Sequence, residues 1–180
     1  MRVITGSARG RRLKMLEGLD VRPTTDKVKE SLFSALQFDI EGRHVLDLFA
    51  GSGQLGIEAL SRGAGDAVFV DRAKESVAVI RENLRITGLT HLARVIQTDS
   101  LSFLRTASQR FDIAFLDPPY GSGLLTQALA LLPSVMSEYG LIACEHPAGE
   151  TLPDAAGPFS QYRCYRSGKI AVTVYRKGEK

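Results

Sequence analysis

The chain has 180 residues, 44% of them apolar, and a formal net charge of +3, enough to bury one substantial core. It has no run of eighteen apolar residues and no N-terminal apolar signal segment, which speaks against a membrane-spanning or secreted protein and makes the cytoplasm the expected compartment. Cys144 and Cys164 lack C-x-x-C spacing and His44, His91 and His146 share no ligand spacing, so two reduced core thiols and no metal site are expected.

In chain order, Arg2-Val3-Ile4-Thr5 and Arg11-Arg12-Leu13-Lys14-Met15 are strand-like runs around Gly6-Ser7-Ala8-Arg9-Gly10, which predicts a hairpin with a basic tip. Thr24 or Thr25 then caps a helix whose apolar stripe is Val28, Leu32, Phe33, Ala35 and Leu36, with Pro23 fixing its entry. Residues 1–37 are expected to form an appendage, and 38–180 the main domain.

From residue 44 the rhythm becomes regular. Strands are predicted at 44–49, 67–71, 93–98, 112–116 and 139–145, alternating with helices at 53–62, 73–87, from 100, and 122–132. Alternating apolar strands and helices imply a parallel sheet covered on both faces, with ligands bound at the strand C-terminal ends. Asp47, Asp71, Asp99 and Asp117 all fall at such ends. A second hairpin follows, with Gln161–Arg166 and Lys169–Tyr175 flanking Ser167-Gly168 as an antiparallel sheet edge.

Two stretches carry chemistry. Asp47-Leu48-Phe49-Ala50-Gly51-Ser52-Gly53-Gln54-Leu55-Gly56 reads as strand end, glycine-rich turn and helix start, a cradle where a ligand can lie on bare backbone. Taken literally it matches the dinucleotide fingerprint, and Asp71 stands about twenty residues later, where a ribose-binding acid belongs. Asp47 argues otherwise, because a carboxylate before the turn repels a pyrophosphate and attracts a cation. S-adenosylmethionine, with its sulfonium and ammonium and no phosphate, suits such a mouth.

The second stretch is Phe111–Leu116 running into Asp117-Pro118-Pro119-Tyr120. A buried strand end is an unfavourable place for an unpaired acid and two residues without N–H donors unless the arrangement serves a site. It resembles the D/N-P-P-Y/F/W motif of amino-methyltransferases, which act on exocyclic amines of bases or on amide nitrogens. The bland alternative for this motif is a rigid turn, and for Asp71 and Asp99 it is a helix N-cap.

Charge is unevenly spread. Residues 1–37 carry eight lysines and arginines against four acids, and residues 161–180 carry six against one, so the middle of the chain is acidic. Basic ends on an acidic body suit a polyanion-facing rim beside a site for a cationic cofactor.

Over nearly its full length the chain resembles the RsmD-like ribosomal RNA guanine-N2 methyltransferases. The resemblance rests on the N-terminal hairpin, on Arg22-Pro23-Thr24-Thr25-Asp26-Lys27-Val28-Lys29-Glu30, on the Asp47–Ala59 stretch and on Asp117–Tyr120. It implies a Rossmann-like class I α/β methyltransferase fold, with a seven-stranded, mostly parallel sheet in the order 3-2-1-4-5-7-6. It also implies S-adenosylmethionine as cofactor and 16S ribosomal RNA as partner, presented within a small-subunit assembly particle to a monomeric enzyme.

By position, Asp47, Phe49 and the Gly51, Ser52 and Gly53 backbone would hold the methionine part. Asp71, with Arg72 beside it, would accept from the ribose hydroxyls, and Asp99, with Ser100 and Leu101, from the adenine amine. Asp117, Pro118, Pro119 and Tyr120 would be catalytic. Arg9, Arg11, Arg12, Arg22, Thr24 and Lys27 would face RNA, although the family more often has arginine where Lys27 and Lys29 stand. Three alternatives stay open: an adenine-N6 methyltransferase of DNA or RNA, a non-catalytic RNA-binding protein, and a nicotinamide enzyme reading Gly51 to Gly56 literally.

Overall fold

A computed structural model of the chain describes residues 1–16 and 26–177, without the side chains of Asp26 and Lys27. Arg22, Thr24, the caps offered by Thr24 or Thr25 and the Lys27 side chain therefore lie outside the described residues. The elements run α1 (Asp26–Ala35), β1 (His44–Leu48), α2 (Gln54–Ser61), β2 (Asp66–Asp71), α3 (Lys74–Thr87), β3 (Ala93–Gln97), α4 (Ser100–Thr106), β4 (Phe111–Leu116), α5 (Leu124–Leu131), β5 (Met136–Pro147), β6 (Ala155–Ala156), β7 (Phe159–Ser167) and β8 (Ile170–Lys177).

The strands form one sheet in the order β3-β2-β1-β4-β5-β8-β7-β6, parallel from β3 through β5 and antiparallel beyond. With β8 and β7 as seventh and sixth strands, this is the expected order with an eighth strand added at the edge. That strand, Ala155–Ala156, is too short to leave an alternating pattern in the sequence, and it pairs back on Phe159 and Ser160 across Gly157. β5 is longer than expected at both ends, with a register shift opposite Phe111–Ile113.

Strands β1, β2 and β4 are buried nearly throughout, which explains their unbroken apolar runs. Successive side chains alternate between two cores. On one face Val45, Phe69, Ile113, Phe115, Leu141 and Val172 meet α1, α2 and α3. On the other, Leu46, Val68, Ala114, Ile142 and Tyr175 meet α4 and α5. Helix α3 shows how directly sequence sets an element. Val77, Ile80 and Leu84 form its buried stripe, and Gly88, at φ 74°, supplies the left-handed residue that ends it.

The N-terminal hairpin is held differently from its strand-like sequence. It forms one isolated bridge, Arg2 to Arg12, supported by Val3 N–H to Arg11 O, Gly10 N–H to Val3 O and Leu13 N–H to Met1 O, while the donors of Ile4, Thr5, Ser7 and Ala8 turn to helix α2. Ile4 and Thr5 N–H donate to the Glu58 carboxylate at 2.8 and 3.0 Å, Ser7 N–H to Ser61 O at 2.8 Å, and Ala8 N–H to Ser61 Oγ at 3.0 Å. Val3, Ala8 and Leu13 enter the same core as α1 to α3. The two thiols are free, as expected, but only Cys144 is a core residue. Cys164 is exposed on β7, whose outward face the sequence does not distinguish from its inner one.

Candidate active site

Every strand of the parallel portion points its C-terminal end to the same rim, and the sequence places an acid at several of these ends. Strand β1 carries Asp47 into the rim, and the chain then bends through Phe49, Gly51 and Gly53, at φ 62°, 55° and 77°, before α2 begins. Among the described residues Phe49 is the one non-glycine residue held in the left-handed region, a costly conformation of the kind that concentrates at functional loops. Gly53, the N-cap of α2, has no side chain to cap it, and Asp47 from β1 takes the first-turn N–H of Gly56 instead.

The loop is pinned from below. Gly51 N–H donates to Asp71 Oδ2 at 2.9 Å, Gly56 N–H to Asp47 Oδ2 at 2.8 Å, and Asn83 Nδ2 to Ser52 O at 2.9 Å. Gly56 admits no larger residue, since a Cβ there would stand 2.4 Å from the Phe69 ring and 3.1 Å from Asp47 Oδ2.

Asp47 is fully buried. Burial drives its carboxyl up to about 7, with the Gly56 N–H opposing and the Asp71 charge adding. Asp71 uses each oxygen once for backbone, Oδ2 from Gly51 and Oδ1 from Ala73 N–H at 2.9 Å, which leaves a further lone pair on each. Arg72 beside it is exposed. Asp99 is the N-cap of α4, accepting from Ser102 N–H at 2.9 Å. That bond holds its carboxyl below the usual range, and the residue stays exposed to the rim. Ser100 and Leu101 are buried behind it.

Asp117 follows β4 directly, with Pro118 buried and Pro119 exposed. Burial raises the Asp117 carboxyl well above the ordinary range, and the charges of Glu145 and Asp47 raise it further. Ser122 Oγ donates to Pro119 O at 2.6 Å, closing the turn before α5. Tyr120 is 47% exposed and its hydroxyl donates to Glu145 Oε1 at 3.2 Å.

Glu145 stands on the same rim, bonded to Tyr120, and the sequence reading passed over it. It ends the apolar run Leu141–Cys144 just as Asp47 and Asp117 end theirs, so the same signal was present. Lys29 is the opposite case. Fully buried, it donates to Arg2 O at 2.8 Å and pairs with Glu58 at 3.5 Å, so it belongs to the interior and not to an RNA-facing surface. Arg9, Arg11 and Arg12 are exposed on the hairpin.

The chain matches the family described as "Conserved hypothetical protein 95" over residues 1–176. It is 42% identical to a Bacillus subtilis protein provisionally named as the rRNA methyltransferase YlbH, covering 98% of this chain and 99% of that one. To the ribosomal RNA small subunit methyltransferase D of Escherichia coli K12 it is 35% identical, covering 98% and 90%. It belongs to the RsmD-like methyltransferase family. The fold agrees. A solved Escherichia coli structure, provisionally named as the methyltransferase yhhF, superposes with a TM-score of 0.88 at 36% identity, covering 98% of this chain and 97% of that one.

Family membership makes the rim the candidate active site. A cleft of about 490 Å³ lined by His44, Asp66, His91, Arg94 and Arg110 opens at the N-terminal ends of the strands, far from the acids of the rim. The rim fits a cationic sulfonium cofactor on its own chemistry. Asp47 and Asp117 are carboxylates held against their own ionisation, and a nearby cation relieves that. In addition, Gln54 Oε1, at the first residue of α2, is a buried acceptor without a protein donor among the described residues. Within those residues no group of three His, Cys, Asp or Glu side chains is placed to hold a metal, and no helix is long and apolar enough to cross a membrane.

Proposed function

We propose that this protein transfers a methyl group from S-adenosylmethionine to the exocyclic N2 amine of a guanine in 16S ribosomal RNA. It would act as a cytoplasmic monomer on a small-subunit assembly particle. The observation that carries the reading is the meeting, on one sheet rim, of the pinned Gly51–Gly53 loop over Asp47 and the Asp117–Tyr120 turn with its buried carboxylate. The names of the relatives supply the class of RNA.

Bound on the loop, the cofactor supplies an electrophilic methyl group. The chain does the rest. Asp47 balances positive charge beneath the loop, Asp71 accepts from the ribose hydroxyls through its remaining lone pairs, and Asp99 takes the adenine amine, with Ser100 and Leu101 alongside. Phe49, Ser52 and Arg72 border the same ligand.

A guanine N2 lone pair is delocalised into the ring, so attack requires the nitrogen to pyramidalise. Hydrogen bonds from its N–H groups to the Asp117 carboxylate and the Pro118 carbonyl favour that geometry more in the transition state than in the ground state. Asp117, with its raised pKa, is also a fitting acceptor for the proton released after transfer. Tyr120, half exposed, offers its ring to a base turned out of its stack. Arg9, Arg11, Arg12, Arg22, Thr24 and Lys27 would hold the RNA backbone.

The test is to supply methyl-labelled cofactor with small subunits lacking modification, with naked small-subunit RNA and with DNA, then digest and identify the labelled nucleoside. N2-methylguanosine is the expected product. N6-methyladenine would keep the site chemistry and replace the substrate, and cofactor binding without label would leave a binding role.

Asp117→Ala is expected to abolish transfer while leaving cofactor affinity within a few-fold. Loss of cofactor binding with transfer chemistry intact would reverse the assignment.

A further inference from the structure

Glu145 is 3% exposed at the C-terminal end of β5 and follows Cys144, which pairs with Leu116 of β4. One further step along that parallel register brings Glu145 opposite Asp117, and paired positions on neighbouring strands project to the same face of a sheet. The Tyr120 hydroxyl bond to Glu145 Oε1 ties the acid to the aromatic ring, and both line a depression with Pro118, Pro119 and His146. The depression thus has an aromatic wall and the Glu145 carboxylate, with Asp117 opposite that carboxylate on the neighbouring strand.

Ionised carboxylates only accept hydrogen bonds, so two side by side suit a ligand edge that presents adjacent donors. Guanine presents N1–H next to its N2 amine. Adenine and cytosine place an unprotonated ring nitrogen next to theirs, and a lone pair facing a buried carboxylate is repelled. Burial, and after it the Glu145 and Asp47 charges, raise the Asp117 carboxyl, and a base that donates to both acids eases their repulsion.

We propose that Glu145 is the residue that selects guanine, its carboxylate accepting from N1–H while Asp117 accepts from the N2 amine. The Tyr120 bond orients the Glu145 carboxylate for that contact. This inference rests on the guanine-N2 reading and deepens it.

The test pairs Glu145→Gln with a base analogue. Glutamine keeps the size and an oxygen for the Tyr120 hydroxyl, and its amide can donate to an unprotonated N1. Small subunits are reconstituted around RNA in which the modified guanine, once located, is either kept or replaced by 2-aminopurine. That analogue retains the 2-amine and lacks N1–H.

The unsubstituted protein should prefer guanine by roughly 100-fold or more in kcat/KM, because a site built around a donor rejects an analogue without it. Glu145→Gln should lose about 30-fold on guanine, gain on 2-aminopurine and bring the ratio below about 5, with cofactor affinity unchanged and Tm not lowered. Glu145→Asp, which keeps the charge, should be slower and retain the guanine preference.

An unaltered ratio in Glu145→Gln overturns the proposal and leaves the guanine-N2 reading standing. So does a parallel loss on both bases accompanied by a fall in Tm or cofactor affinity. Absence of any methyl on guanine N2 with the unsubstituted protein overturns the reading itself.

Discussion

Asp47 shows how a functional requirement works against stability at a single residue. Burial drives its carboxyl from the ordinary carboxylate range up to about 7. A group whose folded pKa is raised binds more protons in the folded state, so its contribution to stability grows as pH falls from about 7 towards 4 and is lost above. At pH 8 the unliganded protein therefore carries an ionised acid that it would be more stable without. Asp47→Asn, which keeps an oxygen for the Gly56 N–H, should stabilise the unliganded protein at pH 8 by on the order of 2 kcal/mol, measured by chemical denaturation. A bound cation reverses the preference, since it favours the ionised form. Affinity for S-adenosylmethionine should rise from pH 6 to pH 8 with proton uptake by the buffer, visible as a buffer-dependent calorimetric enthalpy, and Asp47→Asn should flatten that rise. A slope unchanged in the variant would assign the proton to the Asp117–Glu145 pair.

At the scale of elements, the buried charge network under the N-terminal hairpin is what the sequence least revealed. Glu58 accepts from Ile4, Thr5 and Arg62, and pairs with Lys29, with its side chain fully buried. Breaking one partner of a buried pair leaves the other uncompensated. Glu58→Gln should therefore cost about 3–5 kcal/mol of unfolding free energy, and adding Lys29→Met should restore part of it. A loss below about 1 kcal/mol would show that Lys29 is satisfied without Glu58. The strands and their acids were legible because apolar period and chain punctuation are local signals. Gly51, Gly53 and Gly88 mark their turns in the sequence for the same reason. The hairpin's attachment was not legible, because its partners lie more than fifty residues away and the Gly56-Ile57-Glu58-Ala59 helix pattern does not announce that Glu58 faces inward. Glu145 differs from both. Its signal was local and matched that of Asp117, but no glycine or proline turn follows at once to set it apart. Asp99 shows an ordinary cap and a candidate ligand coinciding, which residue type alone cannot separate.

For the molecule as a whole, the question is whether the basic N-terminal hairpin acts through charge or through placement. Arg9, Arg11 and Arg12 are exposed on a loop fixed to the far end of the helix whose first turn borders the cofactor loop. If they contact phosphate, neutralising them removes those contacts, and each lost contact lowers the salt slope of RNA binding by about 0.7–0.9. The triple change to Ala should thus reduce the slope by about 2 and leave cofactor affinity intact, measured by titration over a series of salt concentrations. An unchanged slope would take the hairpin off the RNA. Gly6→Ala separates placement from charge. It keeps all three arginines, but a Cβ on Gly6 would lie 1.7 Å from Ser61 O, at a φ of 89° that disfavours any side chain, so the hairpin must leave its seat on α2. If the hairpin orients the RNA towards Asp117, Gly6→Ala should keep most of the salt slope and lose at least about tenfold in kcat/KM, since small displacements remote from the chemistry suffice for such losses. Unchanged kcat/KM, with the hairpin shown to be displaced by faster hydrogen exchange at Ile4 and Thr5, would mean that the arginines work as a diffuse positive field, for which their exact position is immaterial.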